Sequence, residues 1–139
     1  MFKRMSMVVV LALLITSVLT ACGGGASGPV AFSSLPVFTG ATETTNGILK
    51  AGAQVQRNEM KALPTVGSVE GKAYDVPAGT TFDAVAAFYK GALEKDGWTA
   101  VVTVTVDAPN MLGYTRRGQA LVVTYVEAVG IWVMLSQAK

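Results

Sequence analysis

The chain has 139 residues, with 11 basic side chains, 9 acidic side chains and no histidine. The missing histidine excludes a Ser-His-Asp triad, a histidine general base and a histidine-ligated metal. Lys3 and Arg4 supply the whole positive excess, so the rest of the chain is neutral and lacks the basic stripe typical of nucleic-acid binding. We therefore expect no enzyme activity, no cofactor, no metal site and no nucleic-acid partner.

The first 21 residues have the zones of a secretory signal peptide. Lys3 and Arg4 form a positive start, and residues 7–20 are apolar with only mild polar interruptions. A helix over that stretch reaches only about 21 Å, which is short of a hydrocarbon core of roughly 30 Å. The sequence thus predicts a signal peptide over residues 1–21 that is cleaved, rather than a permanent transmembrane span.

The signal ends in Leu19-Thr20-Ala21-Cys22, and Cys22 is the only cysteine. This order resembles the lipobox of bacterial lipoproteins. The resemblance implies cleavage between Ala21 and Cys22, acylation of Cys22 with fatty chains such as palmitate, and an extracytoplasmic protein anchored to a membrane. With Gly23 next, it implies the outer membrane if the cell has two. The alternatives are a secretory signal cut elsewhere, with Cys22 a free thiol, and an uncleaved amino-terminal anchor.

Glycine-rich sequence follows Cys22, and we predict a flexible tether over residues 22–34. The remaining residues 35–139 suit a single domain. The apolar strip 35–41 is expected to lie on that domain. Residues 49–63 favour an amphipathic helix, with Leu49, Ala53, Met60 and Leu63 facing inward.

A second helix is predicted over residues 81–96. Thr80 and Asp83 resemble a capping box, and Gly97 is suited to the residue after the helix. Strands are predicted before the helix at 70–76 and after it at 98–106, 111–117, 120–127 and 131–137, with a turn at 107–110. The first of the later strands alternates, and its inward phase contains Trp98 and Ala100.

This order of strand, helix and four strands predicts an α+β fold. Short connections favour an antiparallel meander of the last four strands, and a sheet of four to five strands in total. One main helix is expected on one face, with the strand 70–76 joining the sheet by a helical crossover. In the last strand, Trp132 and Met134 share the outer phase. That face is either exposed as a partner surface or covered by residues 30–65, and we favour the cover.

The residues Phe88-Tyr89, Leu93 and Gly97-Trp98 resemble a pattern in small bacterial lipoproteins and secreted domains. In these proteins a helix bearing Phe-Tyr ends in Gly-Trp and leads into an antiparallel sheet. The resemblance implies a fold and carries no activity.

Two surface features are candidate contact sites. Arg116, with Tyr114 in the same strand phase, could bind an anionic ligand or partner, although arginines at a hairpin end also serve solubility. Trp132 is a further candidate contact for a protein partner in the cell envelope. The carboxylates Asp75, Asp83, Glu94 and Asp96 fit helix caps or solvated charges better than catalysis; we expect no catalytic residue.

The sequence therefore favours a lipid-anchored, non-enzymatic binding or accessory module of the cell envelope. The alternative is a carrier for a small apolar ligand, with a cavity between helix and sheet lined by Phe82, Tyr89, Trp98 and Tyr125.

Overall fold

The computed structural model describes residues 28–101 and 110–139. In chain order the elements are a 3₁₀ turn Phe32–Ser34, β1 Thr42–Glu43, α1 Gly47–Lys61, β2 Val66–Asp75, α2 Phe82–Lys95, β3 Thr99–Ala100, β4 Met111–Arg116, β5 Gln119–Val126 and β6 Gly130–Ala138. The predicted signal peptide 1–21, Cys22 and the glycines after it lie outside the described residues. So do residues 102–109, which hold most of the predicted strand 98–106 and of the turn 107–110.

The strands form one sheet in the order β1-β2-β6-β5-β4-β3, and every neighbouring pair is antiparallel. The predicted α+β class and the meander of the last four strands are confirmed. The sheet has six strands rather than four to five, because a short β1 is added beside β2. The strand before the α2 crossover lies antiparallel to the last strand, with Val69 opposite Ser136.

Each face of the sheet is covered by one helix, so the domain has three layers. Ile131 and Val133 of β6 point to the cluster that contains α2, whereas Trp132 and Met134 point to the cluster that contains α1. The expectation of one main helix on one face is therefore corrected. The favoured alternative, that residues 30–65 cover the face of Trp132, is confirmed because α1 supplies the cover.

The helix α1 confirms the prediction over 49–63 with small shifts at its ends. Asn46 caps the helix, because its side chain accepts hydrogen bonds from the amides of Ile48 and Leu49. The buried residues are Leu49, Ala53, Gln56 and Met60. Leu63 is also buried, but it lies in the turn after the helix.

The helix α2 begins one residue later than predicted, because Thr81 and not Thr80 is its cap. The Thr81 hydroxyl accepts from the amide of Ala84 at 3.2 Å, while the Thr80 hydroxyl donates to the Pro77 carbonyl at 2.7 Å. Gly97 ends the helix at φ +79°, as predicted. The buried face of α2 consists of Val85, Tyr89 and Leu93.

The β4–β5 connection is a two-residue turn formed by Arg117 at φ 44° and Gly118 at φ 77°. Positive φ at both positions is the geometry of a tight hairpin whose twist matches the strands. Arg117 is therefore in the turn. This corrects the strand prediction 111–117, because β4 ends at Arg116.

The amino-terminal segment packs on the α2 side of the domain. Leu35 is buried, Val30 and Phe32 are partly buried, and the ring of Phe38 meets that of Phe88 edge-on at 5.3 Å. These contacts begin at Val30, within the predicted tether 22–34. At the opposite edge of the sheet Trp98 is buried as expected, whereas Ala100 of the predicted inward phase is exposed.

Candidate functional site

The predicted contact residues do not gather at one surface site. Tyr114 is only 3% exposed and belongs to the α2-side core, where burial and, to a smaller extent, the charge of Glu94 raise its pKa. Arg116 is half-buried, with its Nε 4.0 Å from the place that a Cβ on Gly97 would take. Ala21 and Cys22 lie outside the described residues.

Trp132 lies beneath α1 rather than on an open face. A Cβ built on Gly52 would come within 2.3 Å of Trp132 Cζ2, so the ring lies against the backbone of the helix. The indole Nε1 is buried and has no hydrogen-bond partner among the described residues. Trp132 is thus part of the packing between α1 and the sheet.

The four residues predicted to line a carrier cavity are members of one packed cluster. Tyr89 and Trp98 are buried, and Phe82 contacts Tyr125 with ring centroids 6.2 Å apart. The hydroxyl of Tyr125 donates to the Thr80 carbonyl at 2.7 Å, and the hydroxyl of Tyr89 is buried without a hydrogen-bond partner in the described part of the chain.

The outer edge of β2 is covered by β1 only in part. Within residues 28–101 and 110–139, β1 pairs with β2 only at Tyr74 and Asp75, with one further bond from the Thr44 amide to the Ala73 carbonyl. That bond shows that the Ala73 carbonyl points outward. Because backbone groups alternate along a strand, those of Gly71 and Val69 point outward as well. Arg57 Nε donates to the outward carbonyl of Val69 at 3.3 Å, which agrees with this assignment.

Two surface depressions flank this edge, one on each face of the sheet. The depression on the α2 side has a volume of about 460 Å³, with Glu70 and Lys72 at its rim. Its apolar walls are Phe32, Leu35, Pro36, Val37, Tyr74 and Val133. The amino-terminal segment thus forms one wall of this depression and β2 forms the other.

The depression on the α1 side has a volume of about 220 Å³ and is lined mainly by charged and polar side chains. Three of them are cationic, Lys50, Arg57 and Lys72, and one is a carboxylate, Glu43. Gly71 forms part of its floor, and a Cβ there would lie 2.1 Å from Met134 Sδ. The missing side chain of Gly71 therefore leaves room for Met134 at the edge.

One ion pair spans the end of the open edge. Lys72 Nζ lies 2.8 Å from Glu43 Oε2, and both side chains are largely exposed. The hydrogen bond and the charge of Lys72 lower the pKa of Glu43, and the same contacts raise the pKa of Lys72. Exposed pairs of this kind contribute little to stability, so Lys72 can exchange Glu43 for another anion at little cost.

A second feature fixes the place where the amino-terminal segment joins the domain. Gln119 is 3% exposed; its Oε1 accepts from the Val30 amide at 2.8 Å and its Nε2 donates to the Val30 carbonyl at 2.9 Å. These two bonds hold the backbone of Val30 as a neighbouring strand would. We call this contact the Gln119 clamp.

Sequence reasoning missed both the open edge and the clamp. The sequence predicts a strand at residues 70–76, but β2 begins at Val66 and contains Gly67 and Gly71, which interrupt a strand pattern. The clamp joins residues 89 positions apart, and nothing in the local pattern around Gln119 distinguishes it from a turn residue.

Neither a metal nor a membrane span is indicated by the described residues. They contain no cluster of three or more side chains suited to hold a metal ion. None of the described helices is long and apolar enough to cross a bilayer. Comparison of the chain with protein-family models, with curated proteins and with solved structures finds no match.

Proposed function

We propose that this chain is a lipid-anchored, non-enzymatic module of the cell envelope that binds an extended peptide segment of a partner protein along the outer edge of β2. The observation that carries the binding proposal is the open edge at the Val69 amide and at Gly71, which lies between two depressions of different chemistry. The anchoring proposal rests on the sequence Leu19 to Cys22 and on its resemblance to the lipobox.

The edge offers the groups that strand addition requires. An added strand hydrogen-bonds to outward amides and carbonyls, and its side chains alternate between the two faces of the sheet. On one face they meet the depression walled by Leu35 and Tyr74, and on the other the depression lined by Lys50 and Arg57. The partner segment therefore has apolar residues in one phase and acidic residues in the other.

The positive balance of the α1-side depression supports an acidic phase in the partner. Lys50, Arg57 and Lys72 line it together with a single carboxylate, that of Glu43. Charged side chains also protect edge strands from non-specific pairing. If the cations serve to bind a specific partner, every bound segment has the same register on β2, because only one register places its acidic residues beside these cations. If they only protect the edge, no fixed register is expected.

The binding proposal is tested by selecting octapeptides from a displayed random library on the mature protein. We expect the selected sequences to alternate apolar and acidic residues, and the bound peptide to slow hydrogen exchange at the amides of Val69 and Gly71. Selection of peptides without alternation, or binding that leaves these two amides unprotected, would contradict the proposal.

A pair of charge reversals provides the matched control. Lys50→Glu places a like charge beside the acidic phase, and we expect it to weaken binding of a selected peptide about tenfold or more, as for a desolvated charged contact. Lys90→Glu alters an exposed lysine on α2, and we expect it to leave the affinity unchanged. Equal loss in both variants would show that the effect of charge is not local to the edge.

The anchoring proposal is tested by detergent phase partitioning. The wild type is expected in the detergent phase. Cys22→Ser is expected to accumulate as an unacylated precursor that retains residues 1–21. A variant that is processed to mature size and partitions like the wild type would contradict the anchor.

A further inference from the structure

The Gln119 clamp lies at one end of the sheet, and we call this the Gln119 end. The amide of Lys139 donates to the Thr65 carbonyl at 3.1 Å, and that of Ala138 donates to the Gly118 carbonyl at 2.7 Å. These bonds bring the start of β2, the end of β6 and the β4–β5 turn together. The amino-terminal segment meets the domain here, because Val30 is held by Gln119.

Both helices also finish at the Gln119 end. The last turn of α1 carries Lys61, and two residues later the Leu63 carbonyl accepts a hydrogen bond from the amide of Val66 at the start of β2. The last turn of α2 carries Lys95, and Gly97 follows it beside Arg116. These two lysines complement the negative ends of the helix dipoles.

Five of the nine cationic side chains in the described residues lie at this end. Its cationic side chains are Lys61, Lys95, Arg116, Arg117 and Lys139, and its acidic side chains are Glu59, Glu94 and Asp96. At the opposite end, where Tyr125 contacts Thr80, the carboxylates are Glu43, Asp75, Asp83 and Glu127. The cations there are Lys72, which pairs with Glu43, and Lys50 in the first turn of α1. The described loops there, residues 76–81 and 127–129, contain no lysine or arginine. A domain that is neutral as a whole is therefore positive at the end where the amino-terminal segment meets it.

The length of chain before the clamp keeps this end close to the anchor. Val30 is eight positions after Cys22, and that stretch spans at most about 29 Å when fully extended. The positive end is thus held within a short distance of the bilayer, where anionic headgroups attract lysine and arginine over about a Debye length, roughly 8 Å at physiological salt.

We infer that the Gln119 end docks on anionic phospholipid headgroups of the membrane that holds the anchor, so that the domain stands on the bilayer with its acidic end outward. The inference rests on the proposed anchoring at Cys22. The edge of β2 runs from one end of the domain to the other. In this orientation it therefore points away from the membrane along its length and is accessible from the side.

The inference is tested with the mature, acylated protein in vesicles. An acylated Cys22 has no thiol, so a fluorophore can be attached to a single new cysteine at an exposed position. The two positions are Thr65→Cys at the Gln119 end, which keeps the backbone carbonyl of residue 65, and Ala78→Cys at the opposite end. Quenching by acrylamide, which is neutral, is compared between vesicles of phosphatidylcholine alone and vesicles that also contain phosphatidylglycerol.

We expect the anionic lipid to reduce quenching at position 65 by about threefold and to leave quenching at position 78 unchanged. At 1 M salt, where the Debye length falls to about 3 Å, the anionic lipid should no longer reduce quenching at position 65. The combined variant Lys61→Gln, Arg117→Gln and Lys139→Gln should abolish the protection. Lys50→Gln with Lys90→Gln should retain it.

The outcomes separate this inference from the anchoring on which it rests. A protein that floats with both kinds of vesicle, but whose label at position 65 is quenched equally in both, overturns the docking and leaves the anchor intact. Protection that survives in the triple variant also overturns it. A protein that fails to float with either vesicle overturns the anchor itself.

Discussion

The ring of Trp132 lies against the backbone of Gly52, where a Cβ would be 2.3 Å from Trp132 Cζ2 and 2.8 Å from Cη2. Glycine in a helix interior costs about 1 kcal/mol relative to alanine. Here that cost is offset because only glycine lets α1 approach the ring so closely. We therefore predict that Gly52→Ala destabilises the domain by about 1–3 kcal/mol through overpacking, despite its better helix propensity.

The matched control is Gly91→Ala in α2. A Cβ at Gly91 meets nothing within 4 Å, so this variant should gain roughly 0.5–1 kcal/mol from helix propensity alone. Urea unfolding of both variants gives the comparison. Stabilisation by Gly52→Ala would show that the ring of Trp132 moves aside at little cost.

Gly52 also shows where the sequence was misleading. Read locally, a glycine among polar residues disfavours a helix over 49–63. Glycine is required at position 52 because the ring of Trp132 packs against the helix backbone there. Trp132 is distant in the chain, so the sequence around Gly52 does not predict this contact. The shared phase of Trp132 and Met134, by contrast, follows from the period of two, and so the need for a cover over that face was predictable.

Adjacent residues at the start of α1 differ sharply in burial. Leu49 is 1% exposed and Ile48 is 83% exposed. We predict that Leu49→Ala lowers the free energy of unfolding by about 2–5 kcal/mol, as for other buried leucines. Ile48→Ala should change it by less than about 0.5 kcal/mol. Denaturant unfolding measures both, and similar losses in the two variants would contradict the placement of α1.

Two tyrosines on the α2 side provide a test of hydrogen bonding in the core. The Tyr89 hydroxyl is buried without a partner among the described residues, whereas that of Tyr125 donates to the Thr80 carbonyl. Tyr89→Phe should therefore leave stability at pH 7 unchanged or raise it, and Tyr125→Phe should lower it by about 1 kcal/mol. A larger loss for Tyr89→Phe than for Tyr125→Phe would contradict this assignment.

The Tyr89 side chain also predicts how stability changes in alkali. Burial, reinforced by the charge of Tyr74, raises the pKa of Tyr89 above its ordinary value of 10.0. The native state thus keeps a proton that the unfolded state releases. The contribution of Tyr89 to the free energy of unfolding is therefore constant below about pH 10 and falls as the pH rises above that value. Urea unfolding between about pH 9 and 11 should show a shallower fall for Tyr89→Phe than for wild type.

The Gln119 clamp predicts the effect of a near-isosteric change. In Gln119→Glu the ionised side chain has no donor for the Val30 carbonyl and is buried, so we expect a loss of about 1–3 kcal/mol and faster hydrogen exchange at the Val30 amide. At about pH 4, where glutamic acid begins to bind its proton, part of the exchange protection should return. Gln54→Glu, at an exposed position of α1, should alter neither quantity.

The Gln119 clamp and the open edge of β2 could not be predicted from the sequence, whereas features that depend on local periodicity could. Periodicity identified both helices, the strand order of the meander and the two faces of the last strand, because burial imposes a local repeat. The pairing of β2 with β6 and the bonds of Gln119 to Val30 depend on long-range geometry. The placement of Tyr114 in the core depends on it too, since the same phase would suit an exposed strand face.

The central claim, that Cys22 carries the lipid anchor, is tested most directly by mass spectrometry of the amino-terminal peptide of the native protein. The account predicts a peptide that begins at residue 22 and whose mass is increased by fatty acyl chains. A peptide that begins at Met1, or one that contains Cys22 with a free thiol, would contradict it.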